Sequence, residues 1–355
     1  MLEAAWPQYA EFFGSEPKLK KGEKLRVRYF TTRERWVKAL MADRAIPPGK
    51  AGGYYWPTTK TAYLYQQPTR SYTRTLLLHE AAHQFHYLAR TRNSNPQVPW
   101  YTEGIAEYLA EHFWDGETLE LGVVQLVTLK DYPTAALATL KSGELILDET
   151  TPRPVGWALV RYLATKPHRR FQRLCKKLDA GAANSFDKTI GKPKKIHAEL
   201  TTWLEREQEP WAQVFNEWNG VGAKSIRGFA DVVSLCRVKR PTKELAATLI
   251  RPADGRFKAG VLLEYKDAKD YTVALLDQDG VLHIQRRRDG GWKILERHGS
   301  LVVPDQRIPF VAARSAKGVL FTVCGRTFGP WKFEGDTLGL ALEACDVTFT
   351  DLEWK

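Results

Sequence analysis

The chain has 355 residues, 43% of them hydrophobic, which is enough for a sizeable core and argues for two domains rather than one. No run of about eighteen apolar residues occurs, so a membrane-spanning helix is excluded. Lys and Arg (53) exceed Asp and Glu (41), a net charge of +12 spread over both halves. The clusters Lys18, Lys20, Lys21, Lys24, Arg26 and Arg28, then Arg169, Arg170, Arg173, Lys176 and Lys177, then Arg286, Arg287 and Arg288, read as solvated faces. No known nucleic-acid-binding pattern accompanies them, so no nucleic acid is expected, and an anionic wall, glycan or acidic protein is at least as natural a partner.

Met1–Pro7 lacks the charged and apolar blocks of a signal peptide, so the chain as it stands reads as cytoplasmic, or as exported if a leader precedes it. Leu25–Phe30 alternates as a strand, and Thr32 is expected to cap a helix through Asp43. Gly52–Gln66 is aromatic and β-prone, with Pro57 pointing to an edge strand or a bend.

Ser71–Arg90 contains no Gly or Pro and reads as one long helix holding His79-Glu80-Ala81-Ala82-His83. Residues four apart share a helix face, so both imidazoles can address one metal while Glu80 stands one step round, over the open coordination position. After a polar break from Thr91 to Pro99, Trp100-Tyr101-Thr102-Glu103-Gly104-Ile105-Ala106-Glu107-Tyr108 begins a second helix. If the two helices fold back on each other, Glu103 joins His79 and His83 in a His2Glu set suited to one catalytic Zn2+. Glu107, four residues after Glu103, is a candidate to orient a ligand histidine, or a surface glutamate. His86 reads as a satisfied buried histidine in preference to a catalytic one.

HEAAH followed by WYTEGIAEY resembles the gluzincin metallopeptidases, and most of all the bacterial peptidase-MA-like domains. The match is sharp over Leu76–Tyr108 and diffuse over the rest of residues 1–218. It implies a zincin-like α+β domain, with a small mixed sheet above a helical lower half, that hydrolyses peptide or protein substrates. His79, His83 and Glu103 would be the zinc ligands and Glu80 the general base. A strand like Gly52–Gln66 borders the cleft in that family and pairs with substrate backbone. The family's oxyanion-stabilising Tyr is missing: Arg153, between Pro152 and Pro154, stands where it is expected. Arg153 as a fixed cation, Tyr162 from further along, or neither could serve, and the bland reading of Arg153 is a solvated charge at the start of a helix.

Further helices are expected near Pro133–Lys141, Val155–Leu163, Arg169–Leu178 and Lys194–Trp218. Residues 219–224 read as a linker, and beyond it helical periodicity gives way to strands. Gly260–Tyr265, Tyr271–Leu276, Val281–Arg286 and Trp292–Leu295, separated by turn residues, predict a meander. Residues 225–355 resemble a concanavalin-like jelly-roll sandwich, which implies either a glycan- or surface-binding module or a passive companion to an enzyme. Trp292, Trp331 and Tyr271 could stack on sugars or belong to the sandwich core. No acidic pair stands at a defensible glycosidase spacing. Cys175 falls in a basic helix and Cys236, Cys324 and Cys345 in strand-like runs, with a Cys236–Cys345 bridge left open.

Overall fold

The structure is a computed structural model. It describes residues 1–49, 51–68, 70–91, 98–114, 118–123, 132–165, 168–206, 211–215, 217–220, 224–230 and 232–355. They divide into two compact units, an amino-terminal one ending at Arg206 and a carboxy-terminal one starting at Trp211.

In the first unit, α1 (Leu2–Phe13) is followed by β1 (Arg26–Phe30), α2 (Arg33–Ala42), β2 (Gly53–Trp56) and β3 (Thr61–Tyr65). Thr32 caps α2 as expected, its hydroxyl accepting from the Arg35 N–H. The three strands form a mixed sheet in the order β1-β3-β2, with β1 parallel and β2 antiparallel to β3. Pro57 lies in the tight turn between β2 and β3, a bend as the sequence suggests. Strand alternation gives the sheet two faces. Tyr63 and the half-buried Tyr54, Trp56 and Tyr65 pack with Trp36 and Leu40 of α2, while Gly53, on the opposite face, meets the next helix.

That helix is α3 (Arg70–His86), which continues into a wider π turn over Tyr87–Thr91. Its interior is rich in Leu and Ala, strong helix formers. Leu78, Ala81, Ala82 and Phe85 recur at helical spacing and are buried. Phe85 meets Trp6, Tyr9 and Phe13 of α1, with ring centroids 5.0, 5.5 and 5.7 Å away. Burying such a ring contributes roughly 2–3 kcal/mol. Gln84 donates to the carbonyls of Arg26 and Lys60, tying the helix to the sheet.

The expected break after Thr91 falls on residues 92–97, outside those described. α4 (Pro99–Ala110) follows, with Pro at its first position, so Glu103 stands in its second turn. β4 (His112–Trp114) and β5 (Leu119–Leu121) pair as a short ribbon. Then come α5 (Tyr132–Ser142), α6 (Arg153–Thr165), α7 (His168–Asp179), α8 (Phe186–Thr189) and α9 (Pro193–Arg206). α4 and α6 cross where Gly104 faces Gly156: a Cβ on Gly104 would lie 2.6 Å from the Gly156 carbonyl oxygen. This crossing brings the start of α6 to the face of α4 that carries Glu103 and Glu107. Gly104→Ala is therefore expected to lower stability by about 1–3 kcal/mol, although Ala is the better helix former. Urea denaturation of the full chain measures it.

Helix does not run from Lys194 to Trp218 as the sequence suggests: α9 stops at Arg206. Residues 207–210 lie outside those described, and Trp211–Phe215 and Glu217–Gly220 are strands. Both pair inside the second unit, with Val233–Val238 and Ile226–Phe229, so that unit opens before the expected 219–224 linker. Residues 221–223 of that linker lie outside those described.

The second unit is an antiparallel β-sandwich of two seven-stranded sheets among the described residues. One sheet runs Arg326–Trp331, Gly318–Val323, Arg307–Ser315, Glu244–Ile250, Asp346–Trp354, Ile226–Phe229, Glu217–Gly220. The other runs Gly291–His298, Leu282–Arg288, Asp270–Asp277, Lys258–Asp267, Gly339–Glu343, Val233–Val238, Trp211–Phe215. The first four strands of this second sheet are the predicted meander. Phe310, Phe321, Phe349, Trp218 and Leu340 fill the space between the sheets. On the second sheet, Leu235, Leu262, Tyr271, Val273 and Leu275 form a separate buried cluster, so this sheet is apolar on both faces.

All four cysteines are free thiols. Cys236 points into the sandwich core. Cys324 and Cys345 sit in turns with the adjacent or own backbone left-handed, not in strands: φ is +51° at Cys324 and +49° at Ala344.

Candidate metal centre

The Nε2 atoms of His79 and His83 face each other at 3.1 Å. Glu103 closes the triangle, with Oε2 3.6 Å from His79 Nε2 and Oε1 3.5 Å from His83 Nε2. Among the described residues, these three are the group whose donor atoms, all within 4.8 Å of one another, could hold a metal ion. Ligand atoms about 2.1 Å from a tetrahedral ion sit roughly 3.4 Å apart, so the spacing fits zinc. A second observation agrees: Glu103 Oε2 is shut from solvent and accepts no hydrogen bond among the described residues. The Arg153 guanidinium 3.0 Å away makes an ion pair with it.

Glu80 stands one residue after His79, 5% exposed, facing the edge strand β2. Gly53 is required there, because a Cβ would lie 2.8 Å from Glu80 Oε1. Burial pushes the Glu80 carboxyl up to about 7, against the charge of His83 and a hydrogen bond from the Tyr55 backbone. Burial drives His79 down to about 4, so its imidazole is neutral and able to ligate. For His83 burial works the same way, but Glu103 beside it outweighs burial and raises it. Burial favours the neutral acid of Glu103, yet His83, His79 and Arg153 together hold its carboxyl well below the usual range.

Arg153 lies on this site. Its Nη1 donates to Glu107 Oε1 at 2.9 Å while Nη2 pairs with Glu103. Glu107 is buried, which removes the surface reading, and its Oε1 is 3.8 Å from His79 Nδ1, beyond hydrogen-bond reach. Tyr162 is not at the site: it is nine residues after Arg153, about half a turn round α6, and its hydroxyl donates to Glu199 of α9 at 2.9 Å. That geometry removes Tyr162 as a donor to the cleft.

The side chains border a cleft of about 730 Å³ lined by Gly53, Tyr54, Tyr55, Tyr72, Tyr87 and Arg153 besides the ligand set. Behind it, His86 Nε2 meets Asp179 Oδ1 at 2.8 Å, in keeping with the satisfied-histidine reading. Tyr101 donates to the same oxygen at 2.9 Å, and Arg90 Nε to Oδ2 at 2.8 Å. Arg90 also donates to the Phe13 carbonyl. This cluster fastens the ends of α1, α3 and α7 to the start of α4, and so sets Glu103 against the histidines. Asp179 and Arg90 escaped the sequence reading because an acidic residue at a helix end carries no local signal of a partner 89 positions away. Gly53 had a signal, a glycine inside a β-prone run.

In the sandwich, Tyr271 is 0% exposed and cannot stack on a sugar. Its ring packs edge-on to Trp292, 5.5 Å away, and Trp292 is 43% exposed. The half-buried Trp331 spends its ring N–H on Glu296 at 2.7 Å.

No family model matches the chain, and no curated protein matches it. Solved structures similar to part of it include the carbohydrate-binding module CBM66 from Bacillus subtilis, at 13% identity over 40% of this chain and 93% of that one, TM-score 0.35. A toad ovary galectin in complex with thio-digalactose gives 12% identity over 38% and 100%, TM-score 0.28. A tetrameric galectin from the ball sponge Cinachyrella sp. gives 15% over 34% and 98%, TM-score 0.28. The description of the second unit as a sandwich rests on its own strand pairing.

Proposed function

We propose that the first unit is a zinc-dependent peptidase. The observation that carries this reading is the convergence of His79 Nε2, His83 Nε2 and the Glu103 carboxylate at tetrahedral spacing, beside a buried carboxylate that borders a cleft. The two histidines and Glu103 would hold the ion. When bound, zinc supplies Lewis acidity toward a water and a substrate carbonyl. Glu80, poised near neutrality, takes the proton from the attacking water and delivers it to the leaving amine. Among the described residues β2 is an edge of its sheet on the Glu80 side, along which an extended substrate would lie. Among the described residues that line the cleft, Arg153 is the one Arg or Lys, but it is already shared by two carboxylates.

His83→Ala is expected to empty the site. Elemental analysis of purified protein should give one zinc per chain for the wild type and a small fraction of that for the variant. Wild-type protein that takes up no zinc would sink the proposal.

The pairing of Arg153 with both Glu103 and Glu107 favours a second reading. Here the site binds metal without hydrolysing peptides, and the chain serves as a glycan- or surface-binding protein through its sandwich, where Trp292 is exposed beside Arg287. One zinc per chain, with no casein hydrolysis above that of a Glu80 variant, would select it.

A further inference from the structure

We propose that Arg153 is a resident counter-cation: in the metal-free protein it takes the ion's place as partner of the acidic groups, and an arriving metal binds against its charge. The inference rests on the metal-site reading above and concerns how that site is loaded. Three carboxylates, Glu80, Glu103 and Glu107, converge on one cleft, and two of them are no more than 6% exposed. Like charges held so close in a poorly solvated place repel strongly unless compensated. Arg153 is built to compensate them. Its charge is permanent, and its fork reaches two carboxylates at once, Nη1 donating to Glu107 at 2.9 Å and Nη2 ion-paired with Glu103 at 3.0 Å. The guanidinium is delivered from the first residue of α6, which is held against α4 at the Gly104–Gly156 crossing.

Two consequences of opposite sign follow. Without metal, Arg153 keeps Glu103 and Glu107 in place and the unit folded. With metal, a fixed positive charge touching a ligand carboxylate weakens binding, which makes the ion exchangeable instead of permanently held.

The test uses the full chain as wild type, Arg153→Met and Arg153→Lys, melted in EDTA and in zinc, with zinc affinity measured by competition against a chromophoric chelator. In EDTA, Arg153→Met should melt about 5 °C or more below wild type. Zinc should close most of that gap, and the variant should bind zinc about tenfold or more tightly than wild type. Arg153→Lys, which keeps the charge without the fork, should fall between them. A variant that folds only when zinc is supplied is the same result in its extreme form. The wild-type advantage in EDTA should shrink in high salt, because the Arg153 side chain is 53% exposed. Equal melting of Arg153→Met and wild type in EDTA overturns the proposal, as does a gap that zinc leaves unchanged, which marks a packing role. Should the wild type neither shift in zinc nor compete with the chelator, the metal reading itself fails. That outcome is distinct from zinc uptake that Arg153 does not influence.

Discussion

Glu80→Gln is expected to slow peptide hydrolysis by about 10³-fold or more while leaving one zinc per chain and an unchanged melting temperature in zinc. The substitution keeps the shape of the side chain and the van der Waals contact with Gly53, and removes only the ability to accept a proton. The proposed ligands are untouched, since the three donor atoms that could hold the ion belong to His79, His83 and Glu103. A quenched-peptide assay on protein of verified zinc content measures the loss. Activity equal to wild type in Glu80→Gln would come from another base or from a contaminating protease, and in neither case would Glu80 drive the hydrolysis measured.

The second large effect is on stability. Asp179→Asn is expected to cost about 3 kcal/mol, because it strips the charge from a buried acceptor of His86, Tyr101 and Arg90 and leaves the Arg90 cation without its partner. Burial favours neutral His86, so Arg90 carries the lasting positive charge of the cluster. Burial also opposes ionisation of Asp179, but the hydrogen bonds from His86 and Tyr101 and the charge of Arg90 outweigh it and hold the carboxyl below its ordinary value. A carboxyl with a depressed folded-state pKa contributes stability that is present above the unfolded value, near 3.9, and lost as pH falls through the folded one. The gap between wild type and Asp179→Asn should therefore be full at pH 7 and narrow below about pH 4. Urea denaturation across that range reads it, and a gap constant with pH would mean that the loss is one of shape, not charge.

The metal-centre residues were legible because their logic is local. His79 and His83 are separated by one helical turn, and Glu103 lies in the next helix. Arg153 was harder: flanking prolines suggest a solvated charge, and its partners Glu103 and Glu107 are far upstream. Tyr162 could have been dismissed from the sequence, since nine positions along a helix lead to the opposite face. In the second half, regular turn residues made the meander from Lys258 to His298 visible. Trp211–Phe215 was hidden behind the amphipathic run of α9. Tyr271 reads as either a sugar platform or sandwich core because alternation tells which residues share a face but not whether that face is covered. Here the inner strands of the sheet are apolar and buried on both faces.

The contact between Gly53 and Glu80 carries one more implication. The strand that would receive a polypeptide guest and the group that would move its proton are separated by no intervening side chain. Under the proposed function, a guest that straightens or shifts the rim by a few tenths of an ångström would lean on the acid–base group at once, and occupancy and proton transfer would be mechanically linked through a single hydrogen-bearing carbon.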